Sequence, residues 1–142
     1  MSKFTQVIEL LSQHCMTTGL PVEIDRRFMV SQNDNFPMIV VRTGSRVNAT
    51  PAGSGRARAQ LWRMRWAMRP VIEVYLDNND ATALRAEYER IFEEILDAYA
   101  DGPIPAMLVE DEPIDIEMEV IEPGEVSDIG LMIISFSLTV DR

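Results

Sequence analysis

Cysteine, histidine and lysine each occur once in the 142 residues, as Cys15, His14 and Lys3. A single cysteine forbids an intrachain disulfide and removes secreted disulfide scaffolds from consideration. His14 and Cys15 are neighbours on what reads as a helix, where adjacent side chains diverge by about 100°, so they cannot share the work of base and nucleophile. A buried structural cysteine and an exposed histidine are expected. The G-x-S-x-G, Walker-type, GxGxxG, CxxC and HExxH patterns are all absent, which takes away the usual nucleophile, phosphate and zinc signatures. The expectation is a protein without enzymatic activity or cofactor. No apolar run approaches the ~18 residues of a membrane span, and Met1-Ser2-Lys3-Phe4-Thr5-Gln6 lacks the character of a secretory leader. A soluble chain made in the cytoplasm, with no membrane partner, is therefore expected.

Acidic residues are missing altogether from positions 35 to 72, which carry seven arginines. The net charge of −10 is thus strongly segregated, running −1 over residues 1 to 34, +7 over 35 to 72, −6 over 73 to 100 and −10 over 101 to 142. Arginine's planar fork suits bidentate contacts at interfaces better than lysine's point charge. A pI near 4.5 argues against tight nucleic-acid binding by the domain as a whole.

At this length the chain fits one domain, 1–142, and at 46% hydrophobic and 25% charged residues it can bury a core. Phe4, Val7, Ile8, Leu11 and Cys15 predict an amphipathic helix over roughly 2 to 18, stopped by Gly19 and Pro21. Val22-Glu23-Ile24 and Pro37 to Arg42 read as a hairpin across the polar turn Ser31 to Asn35. Residues 44 to 60 have no apolar period and read as a long flexible loop, which its Arg46, Arg56 and Arg58 mark as a partner-contacting arm. Leu61 to Leu76 reads as one long strand, or two broken near Pro70. Asn78-Asn79-Asp80 supplies a cap for a helix over 81 to 100, with Leu84, Tyr88, Ile91, Phe92, Ile95, Leu96 and Tyr99 on one face. Ala106 to Val109 is a possible short strand, and two antiparallel strands, 114 to 121 and 131 to 140, close the chain. The fold class is α+β, a mostly antiparallel sheet flanked by two main helices in the order α-β-β-(long loop)-β-α-β-β.

Two segments alternate strictly. Trp62-Arg63-Met64-Arg65-Trp66-Ala67-Met68-Arg69 is apolar and basic, and Ile114-Asp115-Ile116-Glu117-Met118-Glu119-Val120 is apolar and acidic. Period-2 alternation sets each charge row on one face of a strand. The tryptophans then face the core rather than stacking on bases, and Arg63, Arg65 and Arg69 face a partner or neighbouring subunit. Asp115, Glu117 and Glu119, with Glu110-Asp111-Glu112 nearby, lack the spacing and glycine of an EF-hand, so a solvated or interface-facing stripe is the better reading than a Ca²⁺ or Mg²⁺ site. Complementary stripes set register and exclude wrong partners.

This order of elements resembles the tail terminator (tail completion, minor tail) proteins of long-tailed bacteriophages. The likeness lies in the first helix ending near Gly19-Leu20-Pro21, the Met38 to Thr43 strand, the Arg46 to Arg58 loop and the Trp62 to Leu76 strand. The Asn78-Asn79-Asp80 entry to the second helix and the closing strands complete it. The resemblance implies a homohexameric ring on the head-proximal end of the virion's tail tube, ending tube polymerisation and offering a surface for head joining. Its implied partners are the tail tube protein, met by the 44 to 60 loop, and a head-completion or connector protein, with DNA passing through the lumen without specific binding. Ring closure needs a heterologous interface, which opposite stripes supply, while an acidic lumen repels phosphate. Asp115, Glu117 and Glu119 fit either place. Another neck or head-closure protein, and a cytosolic small-ligand or RNA-binding domain, are the alternatives.

Overall fold

The computed structural model describes residues 2–26, 30, 34–44, 47–51, 64–77, 80–110, 114–121 and 129–141. The elements run α1 (Lys3–Met16), β1 (Val22–Ile24), β2 (Met38–Arg42), β3 (Val47–Pro51), β4 (Met64–Met68), β5 (Val71–Leu76), α2 (Ala81–Asp101), α3 (Ile104–Met107), β6 (Asp115–Ile121) and β7 (Gly130–Asp141). This is the α+β class expected, with seven strands in one mixed, mostly antiparallel sheet.

β7 is the spine. It pairs β5 through its first half, β4 through its second half and β6 along most of its length. The pairs Arg65↔Asp141 and Val71↔Ser135 belong to a single register, so β4 and β5 form one strand interrupted at Arg69-Pro70. The interruption is local because Pro70 has no N–H to give, while its carbonyl still accepts from the Phe136 N–H at 3.0 Å. β2 pairs β5 and β3 pairs β4, both antiparallel. Five tracks therefore run beside one another: β1, β2 then β3, β5 then β4, β7, and β6.

Three expectations are corrected. β1 and β2 are parallel, not a hairpin. Residues 47–51, expected inside a flexible loop, form β3, held by its pairing with β4. The apolar stretch at 106–109 is not a strand: α3 occupies 104–107, and only Leu108 bridges to Val140.

The core lies between one sheet face and the helices. Alternation along β7 buries Met132, Ile134, Phe136, Leu138 and Val140, and α2 meets them with Leu84, Tyr88, Ile91, Ile95 and Tyr99. Asp80 caps α2 by accepting from the Thr82 and Ala83 N–H groups at 3.0 and 3.3 Å. Trp66 packs against this core with its ring centroid 6.2 Å from that of Phe4, and Met68 is buried in it; both sit on the face expected. Each fully buried aliphatic or aromatic side chain contributes about 1.5–3 kcal/mol before ordering entropy is counted.

His14 is buried rather than exposed, at 8% of its surface. It lies three residues from Leu11 and seven from Val7, on the same helical face, and packs on Gly102, where an added Cβ would stand 2.7 Å from its Cε1. Burial holds its pKa below the ordinary 6.5 and pushes the Cys15 thiol up to about 12. A buried thiol raised this far is held in its unreactive protonated form.

Candidate assembly face

The sheet face turned away from the helices carries the charges. Pairing fixes its rows. Asp115 lies beside Ser137, Glu117 beside Ser135 and Glu119 beside Ile133, while across β7 Ser135 is flanked by Val71 and Ile133 by Glu73. Arg65 stands beside Asp141, with its Nε 3.6 Å from the carboxylate. Extending the β4–β5 register places Arg69 beside Ser137. Arg69, Val71, Ser135, Ser137, Asp115 and Glu117, with Phe136, line a groove of about 400 Å³. Its floor is hydroxyl-bearing, one bank basic and the other acidic.

The two stripes therefore share one face of one chain. Arg65 and Arg69 sit on one side of β7, and Asp115, Glu117 and Glu119 on the other. Among the described residues, Arg69 and these three carboxylates form no ion pair; all four are exposed. Arg46, Arg56, Arg58 and Arg63 lie outside the described residues, as do Asp111 and Glu112 of the acidic run. No group of three or more histidine, cysteine or carboxylate side chains suited to a metal occurs among the described residues. None of the described helices is long and apolar enough to cross a membrane.

A second polar cluster lies further along the same face. Arg42 donates through Nε to Glu73 at 2.7 Å and through a terminal nitrogen to the Arg26 carbonyl at 3.0 Å. Arg26 pairs with Asp34 at 2.6 Å and Glu23 at 3.2 Å. Asp25 takes hydrogen bonds from the Thr43 N–H and hydroxyl. Tyr75 donates to Glu73, and burial together with that carboxylate raises its pKa to about 12. These contacts set Arg26, paired with Asp34, against Met38 and Arg42 on the outer side of β2, in a strand whose Met38, Ile39, Val40 and Val41 are all buried although only alternate residues face the helices. The partners are mutually satisfied, so the cluster works as a fastening. Sequence offered one signal for it: a four-residue apolar run in which both faces needed cover.

No protein-family model matches this chain, and no curated protein matches it. Among solved structures it is similar to a chain from the virion of a native gene transfer agent particle, at 10% identity and a TM-score of 0.44, over 95% of this chain and 92% of that one.

Proposed function

We propose that this chain is a structural protein of a phage-like virion, and within that class a tail terminator. Copies of it would close a ring on the head-proximal end of the tail tube, stop tube growth and present a surface for head joining. The observation that carries the reading is the outer sheet face, where the exposed Arg69 on one flank of β7 and the exposed acidic edge strand β6 on the other lie on a single face of the subunit. Opposite charges on different flanks suit a head-to-tail contact, which closes into a ring when the rotation permits. Carboxylates left over on the bore would keep DNA from adhering.

The reading is tested by size and by place. Sedimentation should give a particle near six times the chain's 16.1 kDa under assembly conditions, and electron microscopy should find it on the ends of tail tubes. A strictly monomeric protein that leaves tube length uncontrolled would overturn it. Exposed charge contacts are screened beyond about 8–10 Å at physiological salt, so the ring should loosen as salt rises.

A further inference from the structure

β6 is an edge strand with an uncovered side. The Phe136 N–H bonds the Pro70 carbonyl, so even-numbered residues of β7 turn their main chain toward β5. Odd-numbered ones turn toward β6, in keeping with the bond from the Val109 N–H to the Thr139 carbonyl at 2.9 Å. The register Glu117↔Ser135 then assigns the ladder bonds of β6 to its odd residues. Ile116, Met118 and Val120 direct their N–H and C=O groups outward, where no strand lies among the described residues. The same row carries apolar side chains beyond the reach of the helices: Ile114, Met118 and Val120 are 51%, 44% and 40% exposed, three of the five exposed large hydrophobics among the described residues. Charge alone protects an edge strand from stray pairing; an exposed apolar row does the opposite. Two copies of β6 cannot cover each other, because antiparallel pairing would set carboxylate against carboxylate.

The complement is a strand with basic residues alternating with small apolar ones. Gly55-Arg56-Ala57-Arg58-Ala59-Gln60-Leu61 has that pattern, in the part of the chain that holds seven arginines and no acid. Laid antiparallel with Arg56 opposite Glu119 and Arg58 opposite Glu117, it sets Gln60 opposite Asp115. Ala57, Ala59 and Leu61 then fall opposite Met118, Ile116 and Ile114. The arginine row of β4 cannot serve, since β3 and β7 already occupy both its edges. The other strands with a single partner, β1 and β3, contain no basic residue. In the same copy β4, which follows this segment in sequence, lies on the far side of β7 from β6.

We propose that β6 is a strand-addition site for residues 55–61 of a second copy of this chain. Main-chain bonds to Ile116, Met118 and Val120 supply affinity, and the alternating charges fix register. Donor and acceptor are different surfaces, so each copy passes its segment to the next. This rests on the self-association proposed above and gives Arg56 and Arg58 to the neighbouring subunit instead of the tube.

The test uses the full-length protein. An Arg56→Glu/Arg58→Glu variant keeps β6 intact and should be monomeric at concentrations where the unaltered protein assembles, with unchanged helix content by circular dichroism. A fluorescein-labelled peptide of residues 55–61 should bind that variant saturably. Binding should slow hydrogen exchange at the Ile116, Met118 and Val120 amides while leaving Glu117 and Glu119 as they were. Adding Glu117→Arg/Glu119→Arg should weaken peptide binding by roughly tenfold or more and restore self-assembly of the four-fold variant. Assembly of the Arg56→Glu/Arg58→Glu variant equal to that of the unaltered protein would overturn the proposal, as would a peptide that fails to bind or protects other amides. Ring formation on tail ends, scored separately by microscopy, can survive that result, so the two readings fail independently.

Discussion

Gly44 and Gly19 offer a paired test of how the sheet is joined. Both have positive φ, +97° and +80°, but an added Cβ at Gly19 meets nothing within 4 Å, whereas at Gly44 it would lie 2.0 Å from the Arg69 carbonyl oxygen and 2.9 Å from its carbon. Gly19→Ala therefore carries only the left-handed penalty of about 1–2 kcal/mol, partly offset by about 0.4–1 kcal/mol from a less flexible unfolded chain. The net loss should be about 0.5–1 kcal/mol. Gly44→Ala carries the same backbone term and must also push the Arg69-Pro70 joint away by an ångström or more. That joint keeps β4 and β5 in one register and holds the Phe136–Pro70 hydrogen bond, itself contributing about 1 kcal/mol. A loss of about 3 kcal/mol or more is expected. Urea denaturation followed by tryptophan fluorescence should show a clearly lower midpoint for Gly44→Ala at an unchanged slope. If the two variants agree to within about 0.5 kcal/mol, the contact with Arg69 does not constrain the sheet and the reasoning fails.

Three further outcomes are expected. Ile95→Ala, at a fully buried site on α2, should cost about 2–5 kcal/mol in the same denaturation experiment; a loss under about 1 kcal/mol would mean that the helix does not seat on the sheet as described. Because the folded pKa of His14 is depressed by burial, the unfolded chain binds the extra proton first, so stability should fall as pH drops below 6.5 and level off below the folded pKa. Melting temperatures across that range should show a shallower decline for His14→Gln, and identical slopes would remove His14 as the cause. With its thiol raised to about 12, Cys15 should react with a thiol reagent at neutral pH only as the core opens, so labelling should accelerate with urea; immediate stoichiometric labelling of the native protein would contradict its burial.

Much of this fold is legible in the residues themselves. The spacing of Leu84, Tyr88, Ile91, Ile95 and Tyr99 marks the buried face of α2, and strict alternation marks β6 and β7, because in both cases period and burial coincide. β3 escapes notice because Val47-Asn48-Ala49-Thr50-Pro51 has little intrinsic strand preference and is a strand by virtue of β4 beside it. The parallel β1–β2 pair is hidden because a polar stretch between two strands looks like a turn even where its charged residues are fastened across the sheet through Arg26, Asp25 and Asp34. The apolar run at 106–109 is too short for periodicity to separate helix from strand. His14 was readable: its place three residues after Leu11 puts it on the buried face, and only its polarity argues otherwise. The charged positions of the assembly face are visible as alternation, but that both stripes share one face follows from the pairing of β4 and β6 with the same strand, which no local pattern encodes.

β7 joins both halves of the sheet, and it is the last of the described elements to leave a ribosome. Until residues 130–141 emerge, β6 has no partner and the β4–β5 track has one edge open, so neither can settle into its final register. The sheet therefore cannot lock before β7 has emerged, and until then the arginine-rich and carboxylate-rich strands stay apart. Synthesis order thus delays the maturation of both charged banks until the same moment. A subunit incomplete at that point would lack the finished face that the proposed ring contact requires.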